Sequence, residues 1–282
     1  MSYKVIVALA FGLSGDAPAI DFAAALAVPI KARVVVFPFL PDPAADLVSY
    51  GMLLGTTLPS ETTSAILASQ EASRVALEAE CRRIGNAADL IFGDGEGLPR
   101  ITLARPTGRP DIALSRCLAL ADLVVVSQES LTLSLAARDA FAQALLQQRV
   151  RGDPSALEGR VMIAWDGSSE AGCAVRQSLP LLAMSTETIA VQCAHGLDRT
   201  GADPSFHPLL DYLRAHGVGG ARTEIVQNGP EGPALAETAR RLKATVQIAG
   251  AYGHSRLREA VFGGTTRALL DDVSGPSLLM AH

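Results

Sequence analysis

Residues 250–266 read GAYGHSRLREAVFGGTT and join a short apolar run at 246–249 to a segment of helical character at 265–270. The apolar run is typical of a buried strand in a parallel sheet. A strand, a glycine-rich loop and a helix in this order direct backbone N–H groups and the positive end of a helix dipole towards an anion. The stretch therefore predicts an α/β fold with a phosphate-binding loop. A glycine loop that only turns the chain between strand and helix is the alternative.

The strand–helix plan occurs twice in the chain. In the first half we predict strands at 5–9 and 33–37 around a helix at 16–27, and strands at 101–104 and 123–126 around a helix from 111. The matching segments of the second half are strands at 161–165 and 188–193 around a helix at 170–182, and strands at 223–226 and 246–249 around a helix from 233. Strands that alternate with helices indicate parallel sheets with right-handed crossovers. The chain is therefore interpreted as a tandem repeat of two domains, 1–153 and 154–282.

The two copies differ between their second and third strands, and again near their ends. The first half has an inserted loop from Pro38 to Pro59, followed by a helix at 62–84. The loop is fairly apolar, so packing against its own domain is favoured over a lid or a partner-binding role. Beyond the fourth strand of the first half, 137–148 is helical in pattern and 149–160 resembles a polar linker, which leaves no clear fifth strand. The second half has one at 277–281.

We predict two parallel α/β domains, and not one continuous sheet. The strand at 277–281 would leave unpaired backbone groups if it lay at an edge. We therefore expect either a homodimer or a pseudo-symmetric packing of the two domains within one chain.

Composition restricts the class of protein. The chain has 282 residues, 49% of them hydrophobic, which suits two cores of about 140 residues each. Residues 1–150 hold 12 basic and 15 acidic side chains and residues 151–282 hold 12 and 14, so the halves carry net charges of −3 and −2. Neither half offers the basic field that nucleic-acid binding needs. We predict no nucleic-acid partner.

Cysteine usage and apolar runs bear on location. Four scattered cysteines without a Cys-x2-Cys pair indicate small core residues in a reducing compartment, so we expect a cytoplasmic protein. No apolar run approaches the roughly 18 residues of a membrane span, and no membrane partner is predicted. The run at 5–11 imitates a signal peptide, but it matches the run at 161–165 deep inside the chain and is interpreted as a first strand.

The spacing Gly-x2-Gly-x9-Gly, formed by Gly250, Gly253 and Gly263, resembles the nucleotide-binding signature of the universal stress protein family. Gly264 departs from the Ser or Thr that usually follows the third glycine. Thr265 and Thr266 offer hydroxyls that could cap a helix or bind a phosphate. The resemblance implies two tandem open parallel-sheet domains, Rossmann-like and of the adenine nucleotide alpha hydrolase-like type, the second with the family's strand order 3-2-1-4-5.

A second part of the resemblance lies at the end of the strand 161–165. Asp166 and Gly167 match the family's aspartate turn, which contacts the nucleoside end of an adenine nucleotide, and Cys193 and Ala194 match backbone that lines the base pocket. The alternative is that Asp166 only caps the following helix. The first half has Ala10 where the second has Asp166, and it lacks the glycine loop. Both signatures are thus absent from the same repeat.

The resemblance implies a regulatory, stress-response protein that binds ATP or another adenine nucleotide, with or without Mg²⁺, in the second domain, beside a degenerate first domain. No catalytic residue set and no metal-ligand spacing of histidines accompanies the loop, so we expect no committed enzyme and at most weak ATP hydrolysis. The alternative is an interaction protein of the same fold that binds no nucleotide, which Gly264 favours.

Overall fold

Strands alternate with helices along the chain, as the sequence predicts. The computed structural model describes residues 2–13, 15–40, 60–106, 110–133, 149–151, 157, 159–194, 197, 204–227, 229–251, 264–272 and 274–281. The first repeat comprises β1 (Val5–Ala10), α1 (Asp16–Ile30), β2 (Arg33–Pro38), α2 (Ser60–Ala87), β3 (Ile91–Phe92), β4 (Arg100–Leu103), α3 (Pro110–Leu118), β5 (Leu123–Val125), α4 (Gln128–Leu133) and β6 (Arg149–Arg151).

The second repeat follows the same plan. It comprises β7 (Arg160–Ala164), α5 (Ser169–Leu182), β8 (Glu187–Cys193), α6 (Phe206–Ala215), β9 (Arg222–Val226), α7 (Glu231–Arg241), β10 (Ala244–Gly250), α8 (Gly264–Asp271) and β11 (Ser277–Ala281). The predicted strands are all present, with ends within two residues of those expected. The sequence analysis did not predict the helices α4 and α6 or the short strand β3.

The sheet confirms the expected strand order. Within the second repeat the order is β9-β8-β7-β10-β11, which is 3-2-1-4-5, and all neighbours in it are parallel. The first repeat has the order β4-β2-β1-β5-β6, also parallel, with β3 added beyond β4. The fold is thus two tandem open parallel-sheet α/β units.

Two expectations about the junction of the repeats are wrong. Residues 149–151, interpreted as part of a polar linker, form the fifth strand of the first repeat, because β6 pairs parallel with β5. The repeats also do not keep separate sheets. β6 pairs antiparallel with β11, Leu279 lying opposite Val150, and this pairing joins eleven strands into one sheet. The last strands of the two repeats therefore meet, which is a pseudo-symmetric tandem arrangement; a homodimer stays a prediction.

Apolar side chains on the two faces of the sheet explain why these segments fold together. On one face a single cluster runs through both repeats, with Phe22 of α1, Leu77 of α2, Val175 of α5 and Leu213 of α6 in it. On the other face each repeat has its own cluster, under α3 in the first and under α7 and α8 in the second. Ile6 to Ala10 of β1 are completely buried, as a central parallel strand requires. The run at 5–11 is thus an interior strand.

Other findings concern membranes, metals and thiols. None of the helices in the described part of the chain is long and apolar enough to cross a membrane. The described residues contain no group of three metal-ligating side chains. All four cysteines are free thiols, Cys81 and Cys193 buried and the other two half-buried. The loop at 41–59, the predicted helix at 137–148 and the boundary at 153–154 lie outside the described residues.

Candidate functional site

In an open parallel sheet, ligands bind beyond the carboxyl ends of the strands where the strand order reverses. In the second repeat this place lies between β7 and β10, since β8 and β9 extend the sheet to one side and β11 to the other. In the first repeat it lies between β1 and β5. We call these places the second crevice and the first crevice.

Asp166 follows β7 at the mouth of the second crevice and is half-buried. Its Oδ1 accepts hydrogen bonds from the backbone N–H of Ser168 at 2.9 Å and from the Ser168 hydroxyl at 2.6 Å. Ser168 is the N-cap of α5, and its Oγ accepts from the N–H of Ala171 at 3.2 Å. Gly167 between them has φ +80°, a conformation that favours glycine. Asp166 thus supports a helix cap through Oδ1, while Oδ2 accepts no hydrogen bond from the described residues.

Gly250 ends β10 and lies against the first turn of α5. A Cβ at this position would stand 2.6 Å from the backbone nitrogen of Ala171 and 2.8 Å from the carbonyl carbon of Glu170. Any side chain would therefore collide with backbone atoms. Gly250 and Asp166 thus both contact the beginning of α5. The absence of a side chain at Gly250 lets β10 pack closely against this helix.

The beginning of α8 is the candidate phosphate end of the second crevice. Gly264 is its first residue, and a Cβ there would have no atom within 4 Å, so the space in front of it is open among the described residues. The Thr265 hydroxyl donates to the carboxylate of Glu231, the first residue of α7, at 2.8 Å. Thr266 is buried. The open end of α8 can attract an anion, while the carboxylate beside Thr265 opposes one.

The end of β8 lies on the other side of β7. Cys193 is buried, and the N–H of Ala194 donates to the carbonyl of Val226 at 2.8 Å, which extends the pairing with β9 by one residue. The structure thus brings Asp166, Gly250, Cys193 and Ala194 to neighbouring strand ends. Gly253 and Gly263 lie outside the described residues.

One aromatic side chain near the second crevice was missed in the sequence analysis. Trp165, directly before Asp166, donates from Nε1 to the carbonyl of Ser205 at 3.0 Å, and Gln192 Nε2 donates to the carbonyl of Pro204 at 2.5 Å. These bonds hold the segment before α6 over the ends of β7 and β8. Trp165 is the only tryptophan in the sequence, and its place before Asp166 was the available signal.

The first crevice contains a carboxylate from its own chain. Asp16, the first residue of α1, is 2% exposed, and its Oδ2 accepts from the backbone N–H groups of Phe11 at 2.8 Å and Leu13 at 3.0 Å. Its Oδ1 accepts from the hydroxyl of Ser130 in α4 at 3.2 Å. Burial raises the pKa of Asp16 above its usual range, and hydrogen bonds from the Phe11 and Leu13 N–H groups act in the opposite direction.

The loops on either side of the first crevice are also in direct contact. A Cβ on Gly15, which precedes α1, would stand 2.9 Å from the Ser127 Oγ and 2.9 Å from the Glu129 Cβ. The β1–α1 loop therefore lies directly on the β5–α4 loop. The internal carboxylate and this contact together occupy the place where a ligand anion would bind. The sequence analysis considered Ala10 and missed Asp16. The available signal was an acid in the first turn of a helix, preceded by Gly12 and Gly15.

Comparison with known proteins points to one fold. No family profile and no curated protein matches the chain. A universal stress protein from Archaeoglobus fulgidus has a TM-score of 0.69 at 12% identity, over 99% of this chain and 96% of its own. A putative universal stress protein from Pseudomonas aeruginosa UCBPP-PA14 has a TM-score of 0.50 at 12% identity, over 99% and 93%. A functionally unknown protein from Pseudomonas aeruginosa PAO1 has a TM-score of 0.50 at 12% identity, over 99% and 92%.

Proposed function

We propose that this chain, which has the fold of tandem universal stress proteins, is a regulatory protein that binds one adenine nucleotide in its second crevice. The observation that carries the proposal is the difference between the crevices. The first is occupied by Asp16, whereas the second presents a half-buried Asp166 and a helix beginning at Gly264 that is open among the described residues. Residues 154–282 would hold the nucleotide, and residues 1–153 would be a degenerate copy.

The nucleoside end would lie at the carboxyl ends of β7 and β8. Asp166 would accept hydrogen bonds from the nucleoside with Oδ2, because Oδ1 already holds Ser168. The strand end at Cys193 and Ala194 would provide backbone beside the base. These groups would suit the nucleoside, which is uncharged and forms hydrogen bonds.

The phosphate end would lie at the beginning of α8. The N–H groups of the first helical turn would bind phosphate oxygens at the positive end of the helix dipole. Gly264 supplies no hydroxyl, and the Thr265 hydroxyl is already given to Glu231. A missing neutral hydrogen bond is worth about 0.5–1.5 kcal/mol, so the affinity should fall by roughly tenfold at most and not vanish. A bound Mg²⁺ would neutralise phosphate charge opposite Glu231.

The role proposed is sensing or regulation in the cytoplasm. The described side chains of the crevice are engaged in capping and inter-helix bonds: Asp166 with Ser168, and Thr265 with Glu231. They are suited to holding a ligand and to transmitting its presence to the helices α5, α7 and α8. Four free thiols fit a reducing compartment.

The second candidate function is an interaction protein of the same fold that binds no nucleotide. The bond from Thr265 to Glu231 is the specific observation in its favour. It places a carboxylate beside the first turn of α8 and so satisfies within the protein a group that a phosphate would otherwise use. Under this alternative the polar groups of the second crevice, like those of the first, would be hydrogen-bonded within the protein itself.

Titration calorimetry with ATP, ADP and adenosine tests the proposal on the full chain. Gly264→Asp puts a carboxylate into the open space before α8, where it favours the helix but repels phosphate. We expect it to weaken ATP binding by more than tenfold and adenosine binding by much less. Asp166→Ala should weaken ATP and adenosine alike, by about five- to tenfold for one or two lost hydrogen bonds.

Asp211→Ala is the matched control, because Asp211 is an exposed carboxylate on α6 that pairs with Arg214. It should bind ATP as the original chain does. Mass spectrometry of ligand released by heating the purified protein gives an independent reading. Absence of ATP binding by the original chain at millimolar concentration, with no released nucleotide, would favour the interaction protein. Unchanged ATP affinity in both Gly264→Asp and Asp166→Ala would also contradict the proposal.

A further inference from the structure

A groove of about 510 Å³ opens in the first repeat, beyond the carboxyl ends of β2 and β4 and between α2 and the start of α3. It lies one strand outward from the first crevice, since β2 separates it from β1. Its volume lies within the range of about 300–1,000 Å³ that is typical of small-molecule sites. The ends of parallel strands are also where α/β sheets bind their ligands.

One side of the groove is apolar and rigid. It is built from Pro38 at the end of β2, Leu40, Ala104 after β4, Pro106 and Pro110 at the start of α3. Ala104 is held in place by its N–H, which donates to the carbonyl of Val36 at 2.8 Å. Proline rings lose little conformational entropy when a ligand covers them. This wall suits a flat or compact hydrocarbon body.

The α2 side of the groove is charged but balanced. Arg74 donates from Nε to Glu71 at 2.8 Å and also pairs with Glu78, and Arg82 pairs with Glu78 at 2.7 Å. Hydrogen bonds from Arg74 hold the pKa of Glu71 below its ordinary value, and those from Arg82 do the same for Glu78. Both carboxylates are therefore ionised at neutral pH. They compensate the charges of the two arginines.

Arg105, on the opposite lip of the groove, takes no part in these ion pairs. It is exposed, and it makes no ion pair with any residue that the structure describes. Its charge contributes to the lowered pKa of Glu71 and Glu78 across the groove. A guanidinium presents a planar fork of donors that matches a carboxylate in a two-point contact. The groove thus combines an apolar wall with one guanidinium that has no ion pair among the described residues.

We propose that this groove binds a small organic monocarboxylate, whose carboxylate pairs with Arg105 and whose apolar body lies on the wall formed by Pro38, Pro106 and Pro110. One negative charge matches Arg105, the arginine of the lining that makes no ion pair with the described residues, whereas Arg74 is paired with Glu71 and Glu78. A polyphosphate is disfavoured, because Glu71 and Glu78 line the same space and would repel its further charges. The site is distinct from the second crevice in position and in ligand charge.

The test uses 4-phenylbutyrate as the probe on the full chain, with the neutral 4-phenylbutanol as its matched counterpart. Saturation-transfer difference NMR and calorimetry should show the acid binding with a Kd of about 1 mM, as expected for a ligand of this size at an exposed arginine. The alcohol should bind at least fivefold more weakly. Arg105→Gln should abolish this preference for the acid and weaken its binding at least fivefold.

Two further variants sharpen the result. Arg116→Gln removes an exposed arginine of α3 that does not line the groove, and it should leave binding unchanged. Glu71→Gln releases Arg74 from its closest partner and should strengthen binding of the acid about two- to threefold, which is in the range of one exposed ion pair. Equal binding of acid and alcohol, unchanged binding in Arg105→Gln, or equal losses in Arg105→Gln and Arg116→Gln would overturn the proposal.

Discussion

The two crevices of this chain use a carboxylate at the same kind of turn in opposite ways. In the first, Asp16 comes six positions after the strand end at Ala10, from the first turn of the helix, and its carboxylate folds back onto the loop N–H groups. In the second, Asp166 comes two positions after the strand end at Ala164, and its helix begins three positions later. The loops between strand and helix are of similar length, residues 11–15 in the first repeat and 165–168 in the second. The acid of the first repeat is the first helical residue, whereas that of the second lies in the loop itself, half-buried at the crevice mouth.

This difference teaches that the position of the acid and the groups that surround it, rather than the presence of an acid, separate the crevices. Both repeats have an acid near the beginning of the helix. Only in the first do Ser130 and two backbone N–H groups surround it. An acid so enclosed acts as an internal ligand, whereas Asp166 accepts hydrogen bonds only from Ser168 among the residues that the structure describes.

The largest expected effect is on stability and contrasts the two acids. Asp16→Ala would leave two buried donors and one half-buried donor without an acceptor, at about 1–3 kcal/mol for each buried donor before relaxation. We therefore expect a loss of about 2–4 kcal/mol in the free energy of unfolding. Asp166→Ala leaves the Ser168 cap in place and should cost about 0.5–1 kcal/mol. Urea unfolding followed by circular dichroism measures both.

Asp16→Asn is the control, because the amide keeps an acceptor oxygen in nearly the same shape. It should cost clearly less than the alanine variant. If Asp16→Ala and Asp166→Ala were equally destabilising, the contrast between an internal ligand and an open acid would be wrong.

A smaller effect is expected at three glycines that lie at the crevices. Gly250→Ala brings a Cβ within 2.8 Å of two backbone atoms that cannot move independently, and we expect a cost of about 1–3 kcal/mol. Gly15→Ala meets side-chain atoms of Ser127 and Glu129 that can shift, and should cost less. Gly264→Ala meets no atom and should be neutral or stabilising by up to about 1 kcal/mol. Thermal unfolding of the three variants gives the order, and a cost at Gly264 equal to that at Gly250 would contradict the assignment of an open space.

The smallest effect is a pH dependence that only the first crevice should show. Burial raises the pKa of Asp16, whereas the unfolded chain ionises near the ordinary value of 3.8. Between these two values the native state binds more protons than the unfolded state, so stability falls as the pH rises through this window. The contribution is fully present below about pH 3.8 and is lost once the folded carboxyl ionises.

Asp16→Asn removes the titration, so the difference in unfolding free energy between the original chain and this variant should decrease from pH 3.5 towards neutrality and then level off. A difference that stays constant would show that Asp16 does not titrate abnormally.

Much of the fold follows from local patterns. The apolar runs that become β1, β7, β8, β10 and β11 are buried strands because each is long enough to fill a central position between two helical layers. These features depend on residues that are neighbours in sequence, so a sequence pattern captures them.

What the sequence could not reveal depends on partners far along the chain. Arg149–Arg151 has a charged residue at two of its three positions and acquires strand structure only by lying between β5 and β11. Strand propensity is set by such neighbours more than by the residue itself. The same holds for Asp16, whose role depends on Ser130, and for Thr265, whose partner Glu231 is on another helix. The sequence presents each as an ordinary helix-start residue.

The antiparallel pairing of β6 with β11 joins the two repeats within one chain, and this allows the two crevices to differ. The contact is intramolecular, so its formation depends on the length of the connecting chain and not on how many molecules are in solution. A pair of identical subunits joined in this way would exchange partners and would always carry two copies of the same crevice. Because both last strands belong to one polypeptide, every molecule keeps one crevice with Asp16 and one with Asp166 in a fixed one-to-one ratio.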